Sequence, residues 1–159
     1  MVTAQVADLG GNRASVSRRI VAYDRARGLV GGSGALVSPP GAKRNDRIRA
    51  GAASFGFVAP AAANARASGA ALHFDVAGLG FRSRNLRTVA VQGGHGRFEG
   101  SGSINGKGDY QFALDATAGA AGAAARFGLR IWHADPVSGA RVVDYDTGPA
   151  PIAEGTIAL

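Results

Sequence analysis

The sequence has no cysteine, one methionine, one tryptophan and only two glutamates among its 159 residues. The absence of cysteine excludes a disulfide framework and any thiolate metal site. The scarcity of glutamate disfavours a glycosidase with paired carboxylates. No apolar run reaches the roughly 20 residues of a transmembrane helix, so we expect no membrane insertion. The first residues lack the charged and apolar regions of a signal peptide, and any export signal is therefore expected outside this chain.

Glycine and alanine are abundant, and they constrain how a core can be built. The 25 glycines and 6 prolines follow no fixed period, which is typical of turn and bulge residues rather than of a fibre or a linker. Apolar residues make up 46% of the chain, enough for one folded domain. Because alanine buries little area and aromatic residues are only 7% of the chain, the core must depend on a few large side chains.

The clearest structural signal lies in residues 98–115, which carry two strand patterns around a tight turn. Tyr110, Phe112 and Leu114 alternate with polar or small residues, as in a strand with one buried face. The Asn-Gly pair ahead of them predicts a tight hairpin turn. About eleven such strand patterns are bounded by turn residues, and no segment indicates a helix. The sequence therefore predicts an all-β fold, an antiparallel β-sandwich or distorted barrel of about ten strands.

Two features of this prediction concern particular segments. Residues 2–7 and 15–23 are predicted to form an N-terminal hairpin, and Leu79–Arg82 and Arg87–Gln92 are predicted as separate strands. The inward positions of the strands define an expected core. Its members are Phe55, Phe57, Leu72, Phe74, Phe98, Tyr110, Phe112, Leu114, Phe127, Leu129 and Ile131.

Several segments together resemble a known domain. They are GLVGGSGALVSPPGA (28–42), ASFGFVA (53–59), LHFDVAGLGFRS (72–83), GRFEGSGSINGKGDYQFALDA (96–116), FGLRIW (127–132) and the region 142–146. In this order they resemble the post-COAP domain, a β-rich domain at the C-terminal end of secreted bacterial proteins. Residues 2–24 resemble the last hairpin of a PKD- or HYR-type immunoglobulin-like repeat. The expected division is a hairpin of residues 1–24 followed by a domain of residues 25–159.

This resemblance implies an extracellular or cell-surface bacterial protein in which the chain is a non-catalytic structural, accessory or adhesion-like module. Its partners would include neighbouring domains of a longer parent protein. The family offers no catalytic residues to transfer, and no cofactor is expected. Two segments depart from the family pattern, since residues 45–49 and the stretch after Phe81 are more basic than usual. Binding of an anionic polymer is one interpretation of that difference.

The charge of the chain supports the same interpretation. The net charge is +7, the sequence pI is near 11.0, and 16 of the 18 basic residues are arginine. A positive field of this size attracts nucleic acid, anionic lipid or acidic cell-wall polymers. The candidate site consists of two loops, with Lys43, Arg44, Arg47 and Arg49 in one and Arg82, Arg84 and Arg87 in the other. The alternatives are solvated surface arginines and the codon usage of a GC-rich gene.

A tryptophan is the candidate for carbohydrate binding, because an exposed aromatic ring can stack on a sugar ring. Alternation places Trp132 opposite Phe127, Leu129 and Ile131 and beside Arg130. On an outer face Trp132 would be available to a sugar. At the edge of the core it would only pack.

Three further motifs lack the partners that their chemistry needs. Asp146 lies in an Asp-Thr-Gly sequence, which in aspartic proteases requires a second carboxylate. The alternative is a strand end where Asp146 accepts backbone N–H groups. His73 and Asp75 share a strand face, but zinc needs three or four ligands. In residues 105–109, which faintly resemble a calcium loop, Lys107 opposes a cation. We therefore predict neither enzyme activity nor a metal site.

Overall fold

The computed structural model describes residues 2–8, 10–18, 28–46, 50–62 and 69–159. These residues form eleven strands and no helix, and so contain no helix that could span a membrane. The all-β prediction is confirmed for them. In chain order the strands are β1 (Val2–Ala7), β2 (Arg13–Arg18), β3 (Leu29–Ser38), β4 (Gly51–Pro60), β5 (Ala71–Val76), β6 (Leu79–Gln92), β7 (His95–Ile104), β8 (Lys107–Thr117), β9 (Arg126–Ala134), β10 (Arg141–Asp146) and β11 (Ala150–Ala158).

The larger of the two sheets closes on itself. Each strand from β3 to β9 pairs antiparallel with the next strand along the chain. Strand β11 then pairs with both β9 and β3, which closes an eight-stranded barrel. Strand β10 pairs with β9 as well, next to β11. Closure pairs both edges of a sheet that would otherwise be open, and the predicted antiparallel arrangement is confirmed.

The N-terminal hairpin forms a separate two-stranded sheet. Its register runs from Val2 opposite Arg18 to Ala7 opposite Arg13, so the predicted pairing is confirmed. The second strand begins two residues earlier than predicted, because Asp8 tightens the connecting loop. One carboxylate oxygen of Asp8 accepts the backbone N–H of Asn12 at 2.9 Å, and the other accepts its side-chain amide at 2.8 Å. Residues 19–27, with the predicted boundary between 24 and 25, lie outside the described residues.

The turn between β7 and β8 follows from the local sequence. Asn105 and Gly106 both have positive φ, 50° and 75°, the geometry that an Asn-Gly turn favours. The side chain of Asn105 also bridges to the neighbouring turn, since Oδ1 accepts the Gly80 N–H at 2.8 Å and Nδ2 donates to the Gly78 carbonyl at 3.0 Å. The predicted hairpin turn is confirmed, and the same asparagine links it to the turn between β5 and β6.

The prediction of two strands between Leu79 and Gln92 is wrong, because β6 runs through all fourteen residues. Its register shifts twice, between Ser83 and Asn85 and again between Thr88 and Ala90. Each bulge inserts a residue and reverses the alternation. Phe81 and Leu86, five residues apart, therefore both face the core, which an uninterrupted strand would not allow.

Aromatic rings from different strands fill the interior of the barrel. Phe127 of β9 stacks on Phe55 of β4, with ring centroids 4.1 Å apart, and its centroid lies 6.0 Å from that of Phe74 of β5. The predicted core is confirmed, with ten of its eleven members buried and Tyr110 partly buried. Phe81 and Tyr145 belong to the same core but were not predicted. The contacts of Phe127 with Phe55 and Phe74 therefore connect strands that are far apart in sequence.

Glycines on β7 make room for two of the rings. A Cβ atom added to Gly100 would lie 2.7 Å from the ring of Phe112, and one added to Gly102 would lie 2.5 Å from the ring of Phe81. Real Cβ atoms do not approach other atoms so closely. The glycines of this strand are therefore packing positions where a neighbouring ring covers the backbone.

Tyr145 joins β10 to the far end of β3. Its side chain has no exposed surface, and its hydroxyl donates a hydrogen bond of 2.9 Å to Oγ of the buried Ser38. Burial raises the pKa of Tyr145 to about 12, and the hydrogen bond between Tyr145 and Ser38 offsets part of that rise. The neutral hydroxyl thus helps to connect β10 to β3, the first strand of the barrel.

Replacing Phe112 by alanine is expected to lower the free energy of unfolding by about 3 to 5 kcal/mol, because a fully buried ring is lost and a cavity remains. Gln111→Ala, at the adjacent outward position, should change it by about 0.5 kcal/mol or less. Urea denaturation of both variants and the parent measures the difference. Parent-like stability of Phe112→Ala would contradict the register of β8.

The free energy of unfolding should fall as the pH rises from 10.0 toward about 12. The unfolded chain releases the Tyr145 proton at a lower pH than the folded chain does, so the contribution is complete below pH 10 and is lost through this range. The expected loss is about 2 to 3 kcal/mol, measured by urea denaturation at several pH values. Tyr145→Phe is the control, since it lacks the titrating group. Parallel pH profiles for the two proteins would contradict the burial of this hydroxyl.

Candidate ligand groove on the outer wall

The outer wall of the barrel carries a groove of about 330 Å³ across β6, β7, β8 and β9, next to β10. Its side chains point outward because alternate residues of each strand share a face. On β8, Gln111 lines the groove and is exposed, whereas Leu114 belongs to the core. The alternation that buries one set of side chains in the core therefore also determines which side chains line the groove.

The floor of the groove is a row of polar side chains that ends at Trp132. Strand pairing places Asn85 opposite Ser101, Ser101 opposite Gln111, and Gln111 opposite Trp132. Directly opposed residues of antiparallel strands are neighbours on one face, so this row crosses four strands. Nδ2 of Asn85 donates to Oγ of Ser101 at 2.7 Å, and Oδ1 of Asn85 accepts the Ser101 N–H at 3.0 Å. The row offers amide and hydroxyl groups, which both donate and accept hydrogen bonds.

Trp132 lies on the outer wall, the first of the two positions that the sequence left open. It shares its face with Arg130 and is opposed on β10 by Val143. Arg141, on the same strand as Val143, extends over the indole, with its Cζ atom 3.6 Å from the ring centroid. This cation–π contact holds the guanidinium against the tryptophan. Among the described residues, no carboxylate pairs with Arg141.

A cluster of ion pairs around Glu99 forms the other side of the groove. Oε2 of Glu99 lies 3.3 Å from Nη2 of Arg87, and Oε1 lies 3.5 Å from Nε of Arg97. Arg97 also contacts Asp115, with Nη1 3.3 Å from Oδ1. Solvent screens these partly exposed pairs, so each contributes little to stability. Their main effect is to hold Arg87 and Arg97 beside the groove.

The predicted arginine loop of residues 82–87 is part of strand β6, which corrects its expected conformation. Nη2 of Arg82 lies 3.0 and 3.1 Å from the two carboxylate oxygens of Asp75. Arg84 pairs with Asp109 and donates to the Gly108 carbonyl at 3.0 Å. Arg87 pairs with Glu99, as described above. All three predicted cations of this segment are therefore paired with carboxylates of other strands, namely β5, β8 and β7.

The other predicted loop contributes two described cations. Nζ of Lys43 donates to the Ala77 carbonyl at 2.9 Å, which ties it to the turn between β5 and β6. Arg44 is exposed, and its backbone N–H donates to the Asp144 carbonyl at 3.0 Å. Arg47 and Arg49 lie outside the described residues. Of the predicted binding residues, Arg87 and Trp132 line one groove together.

The positive charge of the chain is unevenly distributed. The described residues from 28 to 159 contain ten lysines and arginines and nine aspartates and glutamates, so this part is nearly neutral. Most of the excess comes from residues 1–27 and from the segments 47–49 and 63–68. The net charge of the whole chain therefore does not indicate the charge of the barrel wall.

The side chains of the three weak motifs have other partners. Asp146 pairs with Nε of Arg130 at 2.6 Å, and its second oxygen accepts the Gly148 N–H at 2.9 Å, as expected for an aspartate at a strand end. Asp75 binds Arg82, and Asp109 binds Arg84. Within the described ranges, no three His, Asp or Glu side chains form a group that could hold a metal ion.

Sequence reasoning missed Arg141, Gln111 and the Asn85–Ser101 pair as parts of a site. Alternation places Gln111 on the face of β8 opposite the core, and this position could have identified it from the sequence as a candidate binding residue. Arg141 gives no comparable local signal, because its contact with Trp132 depends on the register of β10 on β9. The site is a property of strand order rather than of a sequence motif.

Comparison with known proteins gives no matching family model, no matching curated protein and no matching solved structure. The resemblance to a post-COAP domain and to a PKD- or HYR-type hairpin therefore stays a prediction that depends on the segments quoted for it.

Proposed function

We propose that this chain is a non-catalytic module of an extracellular bacterial protein, a structural or adhesion-like domain that holds its parent protein to a surface. The observation that carries the proposal is the contrast between the two sides of the barrel wall. Phe127 packs against Phe55 and Phe74 inside, where a small-molecule carrier would need space. The outer wall, in contrast, has a groove with an aromatic ring and several polar groups. The extracellular location depends on the sequence resemblance.

The chemistry of the groove supports binding rather than catalysis. Its one carboxylate, that of Glu99, contacts the guanidinium groups of Arg87 and Arg97, an arrangement that positions side chains. Trp132 and the amide row supply the ring and the hydrogen-bonding groups that a polymer on a cell surface would contact. These elements lie on paired strands, so they are held in place without a ligand.

A fluorescent reporter fused to the chain should co-sediment with isolated bacterial cell walls or with insoluble polysaccharide, whereas the reporter alone should stay in solution. Trp132→Ala should reduce sedimentation of the fusion, because it removes the aromatic ring of the groove. Val137→Ala is the matched control, since Val137 lies in the turn before β10 and is 95% exposed. Equal sedimentation of the fusion and the reporter on every surface would contradict the proposal.

A second candidate function, the binding of an acidic polymer through electrostatic attraction, is favoured by the net charge of +7. The distribution of that charge changes the expected site. The arginines of β6 are paired with carboxylates, whereas residues 1–27 carry five arginines and two aspartates. We therefore place the main contribution to this binding in the N-terminal residues.

Heparin chromatography with a salt gradient tests this placement. Replacing Arg19, Arg25 and Arg27 by serine should lower the eluting salt concentration, because fewer counterions are released on binding. The triple variant Arg82, Arg84 and Arg87 to serine removes the same charge and should elute closer to the parent. The reverse order would instead support the site predicted from sequence. Flow-through of the parent at low salt would exclude this second function.

A further inference from the structure

We infer that the groove at Trp132 binds an acidic sugar, a uronate residue of a polysaccharide. This inference rests on the proposed function and names the ligand class of the same surface. Three properties of the groove carry it. They are a guanidinium without a carboxylate partner, a row of uncharged polar groups beside an indole ring, and a positive balance of charge.

The first property belongs to Arg141. Its guanidinium lies against the indole of Trp132 and has no carboxylate partner among the described residues. A guanidinium has five N–H donors in a planar fork that matches a carboxylate in a bidentate arrangement. The contact with the ring restricts the side chain before any ligand arrives, so less conformational entropy is lost on binding. Arg141 is therefore suited to bind one carboxylate.

The second property is the row that leads to Trp132. Gln111 is exposed and lies opposite Trp132, and its side-chain amide has no hydrogen-bond partner within the described residues. Further along the row, the hydroxyl of Ser101 and the amide of Asn85 bind each other. Sugar hydroxyls donate and accept hydrogen bonds, as do these groups, and the apolar face of a sugar can pack against an indole. A pyranose ring beside Trp132 would meet all of them.

The third property selects an acidic sugar over a neutral one and over a polyphosphate. The groove is lined by Arg87, Arg97 and Arg141, and by one carboxylate, Glu99. A neutral sugar would leave the guanidinium of Arg141 without an anion. A nucleic acid would bring closely spaced phosphates against Glu99, where like charges repel each other. One unpaired guanidinium matches one carboxylate per sugar residue.

Titration of the full chain with a short oligogalacturonate tests the inference, with the fully methyl-esterified oligosaccharide as the neutral control. Trp132 is the only tryptophan in the chain, so its fluorescence reports on this groove. Arg141→Gln should weaken uronate binding by about tenfold or more, as expected for the loss of a charge-assisted hydrogen bond. Arg141→Lys should also weaken it, because an ammonium group lacks the planar fork. Lys107→Gln removes one charge from the first residue of β8, outside the groove, and should bind like the parent.

Equal affinity for the uronate and its ester would overturn the assignment to an acidic sugar. So would an equal loss of affinity in Arg141→Gln and Lys107→Gln, since that result indicates binding through net charge. If the reporter fusion sediments with cell walls while uronate binding is undetectable, this inference fails and the proposed surface-binding function stands. If the fusion sediments with no surface and the uronate does not bind, both fail.

Discussion

The packing of Phe127 against Phe55 and Phe74 across the interior is the contact on which the rest of the structure depends. These rings come from β9, β4 and β5, so they connect β9 across the interior to two strands with which it forms no backbone pairing. Buried aromatic side chains dominate core energetics, and this chain has few of them. Gly100 and Gly102 leave space beside the backbone of β7 for two other rings, those of Phe112 and Phe81. The interior is thereby filled, which leaves the outer wall for binding.

The same packing determines the groove, because the two faces of a strand cannot be changed independently. If the register of β8 shifted by one residue, Phe112 and Gln111 would exchange faces, and the core and the groove would both be lost. The pairing of β9 with β8 on one side and β10 on the other brings Gln111, Trp132 and Arg141 to one place. The candidate site therefore exists only when the barrel is closed and correctly registered.

The charge of an arginine on this protein indicates a binding site only when the groups that its side chain contacts are known. A net charge of +7 suggests a positive surface, yet the described part of the barrel is nearly neutral. Arg82, Arg84 and Arg87 form ion pairs with acidic side chains of β5, β8 and β7. Arg141 differs because its partner is an aromatic ring. Among cations of the same type, the local partner decides which of them a ligand can use.

The sequence by itself determined the all-β class, the Asn-Gly turn, most of the core and the outward position of Gln111. These features depend on neighbours one or two residues away, because side chains of a strand alternate with a period of two. Only the tertiary structure decided that β6 is continuous, that its arginines are paired, and that Arg141 lies over Trp132. Such features depend on residues that are distant in sequence, as in the hydrogen bond between Tyr145 and Ser38, 107 residues apart. Local alternation carries no information on which strands become neighbours, so register and closure arise from packing of the whole chain.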